Sequence, residues 1–249
     1  MDSYLTSMLL ILVAMAAIAG VETLVPLHAR GRWNRTHLAP NLTLTGVTFA
    51  TSALFGAALG VALLALEQRG LGLLNAVPLG AIASTALVLL LLDLATWAGH
   101  VALHASPTLW RVHRVHHSDP ALDVTTTIRQ HPLESAVRFA FLAAVALPLG
   151  VSPAAFALYR AASALIGLME HANVRLPRRL DDALALVTVS PNMHKVHHAR
   201  DARLTDTNYG NLVSWWDRLF GTFTPAHVGI EVRCGLDGFD DPAGQTTAG

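Results

Sequence analysis

Apolar residues run in blocks along this chain, and the blocks have the length of membrane helices rather than the shorter period of a soluble core. Residues 4–20, about 42–66 and about 76–97 are almost free of charge, and a helix needs roughly 20 such residues to cross a hydrocarbon slab. A fourth apolar region, about 134–170, is too long for one span and is broken by PLGVSP at 148–153, a turn signal. Its two arms of about 15 to 18 residues predict a helical hairpin, either two short spans or a pair that enters and turns back. The pattern therefore predicts an all-α integral membrane protein with about four to five transmembrane or re-entrant helices.

Arginine placement orients these helices, because basic residues collect in short cytoplasmic loops. Arg30, Arg32 and Arg35 follow the first block, whereas only Arg69 lies in the loop at 67–75. The N-terminus is thus expected outside and the first loop inside. The third span then returns the chain to the cytoplasm near His100, where Arg111, Arg114 and Arg129 follow. The hairpin brings it back there a second time, before Arg175, Arg178, Arg179 and Lys195. Every histidine-rich segment is expected on the cytoplasmic face. The first block, lacking a basic leader and a small-residue cleavage site, reads as a retained span.

Composition removes several function classes. With 53% hydrophobic and 14% charged residues and no net charge, the chain offers no nucleic-acid surface. Lone Cys234 excludes an internal disulfide and an iron–sulfur cluster built from this chain alone. Three organisational units follow: transmembrane helices at 1–90, a histidine-rich unit at 91–225 that includes the hairpin, and a tail at 226–249 whose end, GFDDPAGQTTAG, reads as disordered.

The candidate chemistry is histidine. GHVALH holds His100 and His104, WRVHRVHH holds His113, His116 and His117, and PNMHKVHH holds His194, His197 and His198. Offsets of three and four put imidazoles on one helix face, close enough to share a metal or bridge a pair. A single HxxxH is more often surface or packing, but two HxxHH motifs with one HxxxH on one membrane face point to metal. Eight histidines exceed the three or four that one zinc-like ion takes, so two ions are expected. Nitrogen donors suit zinc, copper, iron or nickel, and ligand type leaves that choice open. His131 and His171, at the two ends of the hairpin, are further candidates, each with the alternative of an ordinary interfacial histidine. His28, His37 and His227 read as surface residues.

Asp93 lies two helical turns before His100 in an apolar span, where an ionisable group marks a functional site by default. It is expected either to accept a proton from a ligand imidazole or to be satisfied at a helix contact. Arg138 and Arg160 on the hairpin arms are expected to snorkel toward the interface. Trp215, Trp216, Leu219, Phe220 and Phe223 form an apolar helix face for the membrane interface, with Asn208 and Asp217 as candidate supports for the ligands.

Asp93, His100 with His104, LWRVHRVHHSD at 109–119, RQHPLE at 129–134, EHANVRLP at 170–177, SPNMHKVHH at 190–198 and NYGN with SWWDRLFGTF up to Phe223 together resemble the fatty acid hydroxylase/sterol desaturase superfamily, its bacterial members in particular. The resemblance covers about residues 90–224. It implies a non-haem di-iron centre under a cytoplasmic helical cap in a bacterial inner membrane, with a lipid substrate reached from the bilayer. It carries over His100, His104, His113, His116, His117, His171, His194, His197 and His198 as ligands. Val101 departs from the arginine that many relatives have there.

Hydroxylating or desaturating an unactivated C–H bond needs a redox metal and O2, which zinc does not provide. The two electrons consumed must come from outside, because no GxGxxG, CxxCH or cysteine cluster is present. A ferredoxin or a cytochrome b5-like donor with its reductase is the expected partner. The competing reading is a membrane metal transporter or metal-binding protein with histidine cargo sites. A bis-histidine haem protein fits less well, since its ligands would face each other inside the spans.

Overall fold

A computed structural model describes residues 2–28 and 37–239. Among them are eleven α-helices and no strand: α1 (Asp2–Leu24), α2 (Leu38–Gln68), α3 (Leu73–Ala76), α4 (Ala81–Ala105), α5 (Pro107–His117), α6 (Pro132–Leu149), α7 (Pro153–Glu170), α8 (Arg178–Leu184), α9 (Pro191–His197), α10 (Ala202–Thr205) and α11 (Trp215–Phe220). Four segments, 6–24, Leu38–Ala76, Ala81–Ala105 and Pro132–Leu149, are long and apolar enough to cross a membrane. Arg30, Arg32 and Arg35, on which the orientation rests, lie outside the described residues, as does the tail from 240 onward.

The third span differs from expectation at both ends. Pro78 and Gly80 delay its start to Ala81, and its helix continues to Ala105 without a break. His100 and His104 consequently sit on the last turns of the same helix as the third apolar block. The hairpin is present as α6 and α7, of 18 residues each. They are joined at Gly150 in the left-handed conformation (φ 66°), where a side chain would also strike the backbone of Leu71 and Gly72.

One apolar core joins α2, α4, α6 and α7, while Met15 of α1 packs separately with Val124 and Leu168. Leu59 and Leu63 of α2, Val88 and Leu92 of α4, Phe139, Leu142 and Ala146 of α6, and Phe156 and Tyr159 of α7 are buried against each other. At about 1.5 Å per residue, the 31 residues of α2 exceed a hydrocarbon core of about 30 Å. Its first turns, with Asn41, Thr45 and Thr48 buried, therefore reach into the polar cap. The chain direction then places the ends of α1, α4 and α7 and the starts of α2 and α6 at the same end of the bundle. Glu22 at the end of α1 accepts hydrogen bonds there from the Val124 and Asn173 amides.

Residue pairs that end in proline set the starts of the cap helices. Ser106, Ser152 and Ser190 accept from the amides of Leu109, Ala155 and Met193, and His131 accepts at Nδ1 from Leu133. In each case proline occupies the first helical position, where its missing N–H costs nothing.

Candidate metal centre

The last turns of α4, α5 and α9 and the C-cap of α7 bring nine histidines together as two groups. One holds His100, His104, His113, His117 and His197, and the other holds His116, His171, His194 and His198, with the ligand atoms of each group within 4.8 Å of one another. The two HxxHH motifs divide in the same way. His113 and His117, four apart, enter the first group and His116 the second; His194 and His198 enter the second and His197 the first. Each helix thus feeds both groups, which keeps them adjacent.

Hydrogen bonds at the outer nitrogens fix several tautomers. His100 Nδ1 donates to the Tyr209 carbonyl (3.0 Å), His197 Nδ1 to the Thr207 carbonyl (2.8 Å) and His171 Nδ1 to the Gly167 carbonyl (2.7 Å). His104 Nδ1 lies 3.1 Å from Asp206 Oδ1. A neutral imidazole carries one proton, so these rings turn an Nε2 lone pair inward.

The inward atoms then face one another. His171 Nε2 lies 3.1 Å from His116 Nε2 and 3.0 Å from His194 Nε2, and His198 Nε2 lies 3.2 Å from His194 Nε2. His100 and His113 approach to 3.1 Å through their Nε2 atoms. One in-plane lone pair cannot serve two hydrogen bonds, whereas donors about 2.1 Å from a shared ion at right angles stand about 3.0 Å apart. The buried Nε2 atoms of His104, His117 and His197 have no hydrogen-bond partner at all. Unpaired buried nitrogens of this kind carry a large desolvation cost that a cation would remove. The donor set therefore fits two metal ions.

Burial pushes the imidazoles of His113, His116, His117, His194, His197 and His198 well below their ordinary range, and that of His171 down to about 4. They are neutral near pH 7, the protonation state that binds metal.

His131 stands apart from both groups; its Nδ1 caps α6. Asp93 accepts from the Leu212 and Val213 amides (2.9 and 3.2 Å) and from Trp216 Nε1 (3.0 Å), not from an imidazole. Asp217 accepts from the Tyr209 and Gly210 amides, Trp97 Nε1 and the Thr222 hydroxyl. The two carboxylates clamp a strap, residues 207–216, whose carbonyls orient His197 and His100. Asn208, at φ 57°, joins the clamp by donating to the Met193 and Thr224 carbonyls and accepting from the Thr224 amide. At Gly210 a side chain would meet Val213 O at 2.8 Å and Asp217 Oδ2 at 3.0 Å, so only glycine lets the strap close.

Two expectations are corrected. Arg138 does not snorkel: it turns inward to Glu134 (2.8 and 2.9 Å), whose Oε1 lies 3.1 Å from His113 Nδ1. Burial of Glu134 beside a ligand ring favours a nearby cation over a solvated one. Arg160 instead lies over the Phe139 ring at 4.9 Å. Likewise His37 is no surface residue, since its two ring nitrogens reach Asp119 and Asp123, each at 3.1 Å. His28 and His227 are exposed, as expected. Glu134, Asp206 and Glu170, which approach the ligand rings, were not singled out by sequence; Glu134 ends the RQHPLE segment, but nothing in the pattern marks Asp206.

The chain matches the family model described as fatty acid hydroxylase over residues 85–222. It is 32% identical over 135 residues to ornithine lipid hydroxylase OlsE of Rhizobium tropici, a match covering 54% of this chain and 40% of that protein. It is 32% identical over 133 residues to alkylglycerol monooxygenase of Danio rerio (53% and 29%) and 30% identical over 124 residues to that of Homo sapiens (50% and 27%). The chain thus covers less than half the length of each of these relatives. No solved structure matches it.

Proposed function

The chain belongs to the fatty acid hydroxylase family, and on that premise we propose that it is an O2-dependent membrane lipid hydroxylase whose nine clustered histidines hold two irons. The observation that carries this reading is the set of inward Nε2 atoms 3.0–3.2 Å apart, beside the unpaired buried Nε2 atoms of His104, His117 and His197. Bound there, redox-active iron would supply the oxidising power that a C–H bond requires and that no side chain has.

The residues have separate tasks. His100, His104, His113, His117 and His197 bind one ion, and His116, His171, His194 and His198 the other. The Tyr209, Thr207 and Gly167 carbonyls hold three of those rings in the ligating tautomer. Glu134 and Asp206 orient His113 and His104, and Arg138 holds Glu134. Asp93 is a positioning residue acting through the strap. His131 serves α6 as a cap. Burial of the donors keeps water from the reacting centre.

The substrate is a polar-headed membrane lipid, in keeping with relatives named for ornithine lipid and alkylglycerol. Hydroxylation is favoured over desaturation because those relatives are named hydroxylase and monooxygenase. The arginine distribution supports a cytoplasmic metal site, within reach of a ferredoxin or a cytochrome b5-like donor and its reductase, and the resemblance to bacterial members of the superfamily supports a bacterial inner membrane.

The test is isotopic. Iron-loaded protein in native-lipid bilayers, given 18O2 and a reduced donor, is expected to place one labelled oxygen in a membrane lipid, and NAD(P)H without a donor is expected to yield none. Unlabelled lipid from fully reduced, iron-loaded protein would overturn the assignment. Metal uptake into sealed liposomes would then support the transporter reading instead.

A further inference from the structure

The two groups of histidines are unequal, five against four, and their acidic neighbours are placed differently. In the five-histidine group the carboxylates of Glu134 and Asp206 approach Nδ1 of His113 and His104, on the outer side of each ring. In the four-histidine group the outer Nδ1 atoms of His116, His194 and His198 have no hydrogen-bond partner. The carboxylate here is Glu170, the last residue of α7, and its Oε1 lies 3.8 Å from Nε2 of His194, the atom that faces the other ligands. It also lies 3.8 Å from His171 Nδ1.

Glu170 is 6% exposed, and its Oε2 has no hydrogen-bond partner. A separation of 3.8 Å is too long for a hydrogen bond, so Oε1 gains none from either ring. A buried carboxylate without donors is costly unless a cation compensates it. The 3.8 Å separation compares with 3.0–3.2 Å between the ring nitrogens of the same group, so Glu170 would have to turn toward them to join the group. Four neutral imidazoles would also leave the whole charge of a bound ion uncompensated in a buried site. We propose that Glu170 is the fifth protein donor of the four-histidine site, giving it an oxygen ligand where the other site has only nitrogen. The proposal rests on the two-metal reading above.

The test uses the full-length Glu170→Gln variant, loaded anaerobically with 57Fe beside wild-type protein. Because Glu170 makes no hydrogen bond, the metal-free variant should keep the wild-type helical circular dichroism. On loading, its four-histidine site should bind iron at least tenfold more weakly, and the Mössbauer doublet of only one of the two irons should change. Two irons per chain with both doublets as in wild type would overturn the proposal. So would a metal-free variant that fails to fold, because Glu170 would then be structural. Wild-type protein that never takes up two irons would instead sink the two-metal reading itself, whatever the variant does.

Discussion

Two buried polar regions meet at the same end of the bundle, and they treat histidine in opposite ways. Around His37 every polar atom has a partner. His37 bridges Asp119 and Asp123; Asn41 donates to Asp119 and Thr125; Thr126 donates to Asp119; Arg129 donates to Asn41, Ser118 and the Val115 carbonyl. His117 lies two residues before Asp119, and its Nε2 and those of His104 and His197 are buried without a hydrogen-bond partner, in a group whose ligand atoms lie within 4.8 Å of one another. The first network is complete as protein and ties the start of α2 to the segment after α5. The second has the donors that cations would complete. Burial alone does not tell a structural histidine from a ligand; what its second nitrogen faces does.

Removing a ligand should break the second region most severely. His197→Ala or His116→Ala is expected to lower iron from two per chain to one or fewer and to abolish lipid oxygenation, as read by plasma mass spectrometry and product analysis. Loosening the strap should act next. The Tyr209 and Gly210 amides donate to separate oxygens of Asp217, so Asp217→Asn sets its NH2 against one of them, and roughly a 10- to 100-fold loss of metal affinity is expected from such an indirect change. Unchanged affinity would dissociate the strap from the site.

The His37 network should respond in stability rather than in metal. His37→Ala leaves two buried carboxylates without their cation, a loss of about 3–5 kcal/mol, while iron per chain stays at two. Burial alone would lower the pKa of His37, but its bonds to Asp119 and Asp123 outweigh that and raise it to about 10. Because the folded value is raised, the contribution is fully present below about 6.5 and fades as pH climbs toward 10. The melting temperature of wild type, but not of His37→Ala, should decline over that window. The smallest effect is expected at His131→Ala, which loses a helix cap worth about 1 kcal/mol and keeps both irons.

These outcomes also measure how far the sequence can be read. The spans, the hairpin turn at 148–153 and the clustering of eight histidines were legible because each rests on local spacing: run length, a proline–glycine turn, or offsets of three and four; the ninth, His171, came from the family resemblance. His131 carried the same local look as His171, yet it precedes a proline and became a cap. His37 looked isolated because its partners, Asp119 and Asp123, are more than 80 residues away. Asp206 and the Thr207 and Tyr209 carbonyls were invisible for a similar reason, since they reach the rings only after the strap folds back. Arg138 read as a snorkelling side chain until Glu134, four residues earlier, was seen to face the site. Local periodicity reveals which residues share a helix face, whereas the partner of a buried charge depends on packing between distant segments.

If the nine histidines hold two irons, a count of bound metal will show it. Detergent-purified protein, reconstituted anaerobically with 57Fe, would be measured by plasma mass spectrometry and Mössbauer spectroscopy. Two irons per chain with a coupled diferric signal is the predicted result. One zinc, or no stoichiometric metal, would contradict it.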